Sequence, residues 1–380
     1  MRVVAKIGTS SLTDSSGRID AVMVAKVAAE VVALRAAGHQ VVVVSSGAIS
    51  AGLPALGPRL GGGRGDGGRG DGGRGDGGRP TDLPTLQAIA AVGQHRLMAT
   101  WDAAFGAHGA IPGQVLLVPL DFIHRQQYLH ARQTLERLLE LDLIPVVNEN
   151  DALADDEIRF GDNDRIAALV AHLLGADLLV LLTDTPGLLT ADPRRDADAS
   201  LIAEILEVDA SLERLATAGG SERGSGGMAS KLAAAKMAAW SGVRVVIADA
   251  GRAGVLADAV ADTPGVGTVV RPHDRRLPAR KLWIAFAVAS LGTVVVDDGA
   301  RTALVDHGRS LLPAGVVDVK GAFEAGDAVE VATRDGVVFA KGLTRHPAAT
   351  VTAWAGRRTS DLPPDVDHEV VHRDDLVVLV

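Results

Sequence analysis

The feature that most constrains this chain is a recurring unit: a short, unbroken run of apolar residues that stops at glycine or small polar residues, followed by a stretch of helical spacing. Val41 to Val44 stops at Ser45-Ser46-Gly47, Ile144 to Val147 at Asn148-Glu149-Asn150-Asp151, and Leu178 to Leu182 at Thr183-Asp184-Thr185. A strand with one wet face alternates polar and apolar side chains, whereas a strand that is apolar throughout has both faces covered. Ahead of the first of these runs, Val24, Val27, Ala28, Val31 and Leu34 fall on one helical face, with Asp20 as N-cap and Gly38 as the C′ residue. The expected domain is therefore α/β: a mainly parallel open sheet between two helical layers, a three-layer arrangement spanning residues 1–270. In such sheets ligands gather at the carboxyl ends of the strands, which is where the small polar residues stand.

The same reading expects strands at 3–7, 114–118 and 243–247 and helices at 85–105, 128–141, 165–174, 200–206, 210–216 and 229–239. Residues 61–80 are a Gly-Gly-Arg-Gly-Asp repeat with nothing apolar to bury, so a flexible surface loop is expected there. Its Arg-Gly-Asp triplets follow from the repeat and are not read as an adhesion signal. Residues 271–279, rich in Pro and Arg, read as a linker, and 280–380 as a small β-rich domain of short runs separated by Asp-Gly and Gly-rich turns.

Bulk properties narrow the function. The chain has 47 acidic and 38 basic residues, net −9, which offers no general footprint for nucleic acid. It has no cysteine, which excludes disulfides, thiolate metal sites and a cysteine nucleophile. The first residues are interrupted by Arg2 and Lys6, and no apolar run reaches membrane-spanning length, so a soluble, cytoplasmic protein is expected. His95, His124 and His130 are not spaced as a metal site.

Two basic residues stand out. Lys6 interrupts the apolar run Val3–Ile7; a buried ammonium needs a partner, so it either reaches a ligand anion past the strand end or snorkels along an edge. Lys231 closes the glycine-rich turn Gly224-Ser225-Gly226-Gly227-Met228-Ala229-Ser230 at the start of a helix. Backbone N–H groups, the helix dipole and the ammonium would together suit a phosphate, though such turns also serve as plain connections. The spacing is not that of a P-loop. The polar clusters 148–151 and 161–164 fit either a solvated loop or a crevice at a buried strand end.

Taken together, KIGTSSL from Lys6, VVVVSSGAI from Val41, VVNENDA from Val146, GDND from Gly161, LLTDTPGL from Leu181 and GSGGMASK from Gly224 resemble the amino-acid kinase family over essentially the whole chain. NEND followed by GDND, the Ala91-Val92-Gly93-Gln94 segment and the β-rich tail are similar to the members that phosphorylate glutamate and carry a C-terminal PUA domain. Departures are the 61–80 insertion and the Ser225 and Ala229 replacements in the glycine loop. The resemblance implies a three-layer amino-acid-kinase fold with a PUA-like tail. The implied reaction is ATP-dependent phosphorylation of the side-chain carboxylate of L-glutamate, with Mg²⁺ accompanying the ATP, to give γ-glutamyl phosphate, the first step of proline biosynthesis. Lys6 and Lys231 would neutralise the transferred charge and Asp164 would organise them. Ser46, Asp151 and Asn163 would bind glutamate. Lys6, Gly8, Thr183, Asp184 and Ser225-Gly226-Gly227-Met228-Ala229-Ser230-Lys231 would hold the nucleotide, and Gly47 would allow close backbone approach. Feedback inhibition by proline and a homo-oligomer are further implications. The alternatives are a kinase for another small acidic substrate, or an RNA-binding or regulatory protein acting through its tail.

Overall fold

The computed structural model describes residues 1–60, 80, 82–122, 124–153, 163–192, 196, 198–218, 227–273, 276–363 and 365–379. The expectation for the 61–80 repeat thus falls, apart from Pro80, outside the described residues. The chain divides into two compact units, Met1–Arg276 and Leu277–Val380.

The first unit is built on an eight-stranded sheet of order β3-β4-β2-β1-β5-β7-β8-β6. Its strands are β1 Arg2–Ile7, β2 Gln40–Ser45, β3 Pro112–Leu117, β4 Ile144–Glu149, β5 Leu178–Thr183, β6 Glu204–Ile205, β7 Arg244–Asp249 and β8 Thr268–Val270. Every neighbouring pair is parallel except β7 with β8. Its helices are α1 Thr9–Leu12, α2 Ala21–Ala36, α3 Ala48–Leu60, α4 Leu83–Gly106, α5 Arg125–Glu140, α6 Asn163–Leu174, α7 Ala210–Ala218, α8 Met228–Ala239 and α9 Val255–Val260. The caps read from the sequence are in place: the Asp20 carboxylate accepts from Val22 N and Met23 N at the start of α2, and Gly38 follows its end with φ +85°.

Strand alternation sorts the core into two layers. Val3, Ala5 and Ile7 of β1 join Val41, Val43, Leu178 and Val180 in the core shared with α2 and α4. Lys6 therefore points to the opposite face, where α6 packs on β1 and α8 packs on α6. The chain lays β2, β4 and β3 on one side of β1 and then crosses to β5 on the other. That reversal falls at the carboxyl end of β1, beside Lys6, the place where open α/β sheets bind their ligands.

Three expectations are corrected. Residues 200–206 do not form a helix: Leu201 bridges Leu189 and Glu204–Ile205 pairs with β8, because pairing at the sheet edge overrides a weak helical pattern. The strand read as ending at Val147 continues through Asn148 and Glu149. The helix read as starting at Arg165 starts at Asn163.

The second unit holds a five-stranded sheet of order β10-β9-β11-β12-β13. Its elements are α10 Ala279–Leu282, β9 Gly292–Val296, α11 Asp298–Val305, β10 Val316–Gly321, β11 Ala328–Ala332, β12 Val338–Thr344, α12 Ala348–Trp354 and β13 Val371–Val378. Only β9 and β11 pair in parallel. Val294, Val296, Val329, Val331 and Phe339 form its core with Leu304 of α11 and Val351 of α12. The run of β13 is broken by Arg373, Asp374 and Asp375, so this strand does not stand out in the sequence.

Candidate active site

Three charged groups meet at the carboxyl edge of the large sheet. Lys6 near the end of β1, Asp164 in the first turn of α6 and Lys231 in the first turn of α8 are 2%, 1% and 3% exposed. Lys6 Nζ lies 2.6 Å from Asp164 Oδ1, and Lys231 Nζ lies 3.3 Å from Oδ2. The Ser230 hydroxyl donates to the same Oδ2 at 2.7 Å. Burial by itself would raise the Asp164 carboxyl; the charges of Lys6 and Lys231, with hydrogen bonds from Lys6 and Ser230, outweigh it and hold the group below the ordinary carboxylate range. Two lysines against one carboxylate leave these three groups with an excess positive charge, suited to an anion placed between them. Gly8 follows directly after β1, and a Cβ there would crowd Lys6 Nζ at 3.2 Å.

Beside this triad, the ends of β2 and β4 bring together Ser46, Asn148, Glu149, Asp151 and Asn163, all buried. The Glu149 N–H donates to Asn163 Oδ1 at 3.1 Å and to Asn148 Oδ1 at 2.9 Å, which ties the end of β4 to the start of α6. The Trp101 indole donates to Ser45 Oγ at 3.0 Å and Ser45 Oγ donates to the Ser46 carbonyl at 3.0 Å, so the loop after β2 is pinned from the core. Gly47 has φ +105°, a conformation that β-carbon residues avoid. Asp151 lies where burial pushes its carboxyl up to about 6.

Of the residues assigned to the nucleotide, Thr183 ends β5, is buried, and donates to Asp184 Oδ1 at 3.2 Å, while Asp184 itself is exposed. Gly227 caps α8 in extended conformation and accepts from Lys231 N at 3.2 Å. Met228 and Ala229 follow in the first turn of α8. Ser225 and Gly226 lie outside the described residues. The structure thus brings Lys6, Asp164, Ser230 and Lys231 into one cluster. Of the alternatives for Lys6, snorkelling along an edge is excluded, because the side chain is buried against Asp164. Sequence reading gave no role to Asn148, Glu149, Gln94 or Trp101; for Asn148 and Glu149 the available signal was a polar pair continuing an apolar strand without an intervening glycine.

The sequence pattern of the amino acid kinase family matches residues 1–249, which include every element of this site. The chain belongs to the amino acid kinase family. Its second unit carries a match to the PUA domain over residues 292–362. Within the family it stands among the glutamate 5-kinases: it is 44% identical to the glutamate 5-kinase of Mycobacterium ulcerans over 378 residues, covering 99% of this chain and 96% of that protein. It is 41% identical to the glutamate 5-kinase of Pelobacter propionicus over 382 residues, covering 100% and 97%. Among solved structures, a carbamate kinase from Giardia lamblia bound to AMP-PNP is 18% identical, with a TM-score of 0.49, covering 72% of this chain and 98% of that one.

Proposed function

We propose that this amino acid kinase transfers the γ-phosphoryl group of ATP to the side-chain carboxylate of L-glutamate, giving γ-glutamyl phosphate, the first step of proline biosynthesis. The observation that carries the reading is the buried Lys6–Asp164–Lys231 cluster at the strand ends. Phosphoryl transfer asks little covalent chemistry of a protein; it needs the carboxylate and phosphate aligned, and the spreading negative charge met by fixed positive groups. Lys6 and Lys231 supply those groups, and Asp164 holds both ammoniums so that little reorganisation is needed as charge develops. Removing one preorganised donor of this kind costs about 3–4 kcal/mol of barrier.

Ser46, Asp151 and Asn163 bind glutamate in this reading, with Asp151 facing the α-ammonium. A carboxylate raised by burial is relieved by an incoming cation, so the ligand and the ionised form support each other. Gly8, Thr183, Asp184 and the 225–231 turn hold the nucleotide, the start of α8 directing backbone N–H groups toward phosphate. Mg²⁺ enters as part of the nucleotide complex. Among the described residues no three His, Cys, Asp or Glu side chains stand close enough to hold a metal by themselves. Proline as a feedback inhibitor, a homo-oligomeric state and a cytoplasmic location belong to the same proposal and rest on the resemblance to the glutamate 5-kinases. No helix among the described residues is long and apolar enough to cross a membrane.

The test is ADP release with glutamate, acetylglutamate, aspartate, carbamate or UMP as acceptor, with and without Mg²⁺ and with added proline. Glutamate-dependent release that requires Mg²⁺ is expected. Release no faster with glutamate than without any acceptor sinks the reading.

A further inference from the structure

Helix α4 crosses α3 at an approach that only glycine allows. A Cβ on Gly93 would stand 1.7 Å from the Ala48 carbonyl oxygen and 2.5 Å from Gly52 N, and a Cβ on Gly52 would stand 2.1 Å from the Ile89 carbonyl oxygen. This contact lies two residues after Ser46, so the next residue of α4, Gln94, is held beside the loop that follows β2. Its carboxamide also reaches β4: Asn148 Nδ2 donates to Gln94 Oε1 at 2.6 Å.

The orientation of both amides follows from one unambiguous donor. The Glu149 backbone N–H can only donate, and it donates to Asn148 Oδ1 at 2.9 Å. The other end of Asn148 is therefore its NH₂ group, and the Gln94 atom that receives it must be the oxygen. Gln94 Nε2 is left as a donor shielded from solvent with no hydrogen-bond partner among the described residues. A buried donor without a partner is costly, and one at the edge of a substrate site is met by an acceptor that arrives with the ligand or with a water held beside it.

We infer that Gln94, oriented by Asn148, donates an amide N–H to a carboxylate of the amino-acid acceptor and so helps select it. This deepens the glutamate reading above and rests on it. It places a residue of α4 in the acceptor site alongside Ser46, Asp151 and Asn163, and makes Asn148 a positioning residue that acts through Gln94.

Two substitutions separate recognition of the acceptor from simple support of Asn148. Gln94→Glu keeps an oxygen for Asn148 but replaces the donor with a negative charge that would face the acceptor carboxylate. Gln94→Met has similar length and removes both functions. A lost hydrogen bond to a charged group corresponds to about tenfold to a hundredfold in affinity. The expected result is a KM for glutamate raised at least tenfold in both variants, more in Gln94→Glu, with the KM for ATP moving less than twofold. A Gln94→Glu protein within threefold of the parent in glutamate KM overturns the inference, since it would show that only the oxygen matters. Parallel rises in both KM values overturn it as well. Should Gln94→Glu fail to fold, Gln94→Met is compared with Asn148→Ala: an unchanged glutamate KM in Gln94→Met, or a rise no larger than that of Asn148→Ala, is fatal, and a tenfold selective rise that exceeds it is supportive. Absence of any glutamate-dependent rate in the parent protein would instead remove the kinase reading itself.

Discussion

In the eight-stranded sheet, buried polar side chains collect at one edge: Lys6, Ser45, Ser46, Asn148, Glu149, Asp151 and Thr183 lie at or just past the carboxyl ends of β1, β2, β4 and β5. In the five-stranded sheet only Lys341 and Thr344 are buried polar residues among those described, both in β12. The difference follows from strand direction. A parallel sheet points all its carboxyl ends to one side, so loops from distant parts of the chain converge there. Strands that mostly alternate in direction divide their ends between two edges, and what remains in the interior is packing. The lesson is that a buried lysine has no fixed meaning: Lys6 meets a carboxylate at a convergent edge, whereas Lys341 donates to the Val288 carbonyl inside the small unit.

The sharpest way to break this contrast is to truncate both lysines. Lys6→Ala should lower the glutamate-dependent turnover about 10²–10³-fold, and Lys231→Ala similarly. Lys341→Ala should lower thermal stability with turnover within twofold of the parent. Loss of turnover in Lys341→Ala comparable to that of Lys6→Ala would end the distinction.

Two glycines sharpen it next. Gly93→Ala would drive a methyl into the Ala48 carbonyl, and Gly292→Ala in β9 would place one 2.6 Å from the Lys320 carbonyl and 2.5 Å from Phe323. Both should cost about 1–3 kcal/mol in denaturant unfolding. Only Gly93→Ala should also raise the glutamate KM, because only it displaces the loop after Ser46.

Acid titration probes the contrast more gently. Asp151 has a carboxyl raised to about 6 by burial. Its ionised form is a stability penalty that is full above about pH 6 and vanishes below the ordinary value near 3.8. Substrate affinity runs the other way: kcat/KM for glutamate should fall as pH drops through about 6, and Asp151→Asn should abolish that inflection along with most of the affinity. In the small unit, burial first, then Arg345 and His368, lower the His346 imidazole below its ordinary 6.5. The unfolded chain therefore takes up the proton more readily, and this contribution to stability is lost as pH falls below 6.5 toward the lowered value. It should show in thermal unfolding against pH and not in the glutamate KM.

The smallest effect is expected at Trp101→Phe. It removes the indole N–H from Ser45 Oγ and should cost about 1 kcal/mol, with a glutamate KM raised a few-fold through the loop that Ser45 supports.

Much of this was legible in the chain itself. Unbroken apolar runs announced strands covered on both faces, and the caps Asp20 and Gly38 were readable because capping is a matter of neighbouring residues. Lys6 was conspicuous because a charge inside such a run demands an explanation, and Lys231 because glycines precede it at a helix start. Residues 200–206 misled because a short helical pattern carries little free energy of its own, so a strand partner at the sheet edge prevailed. Gln94 stood out only as part of the Ala91–Gln94 segment and with no role of its own, since nothing within α4 says that its helix is drawn against Ala48.

By itself the sequence determined most of the long strands and helices of the first unit and which loops are polar, because those preferences act over a few residues. That residues 6, 164 and 231 belong together was implied only by the resemblance; tertiary structure decided that the two lysines share one carboxylate at contact distance and that residues 94 and 148 share one hydrogen bond. These pairings depend on sheet order, on the face to which strand alternation turns each side chain, and on how closely two helices can cross. Each is set by packing between segments far apart in the chain, where local preference has no reach.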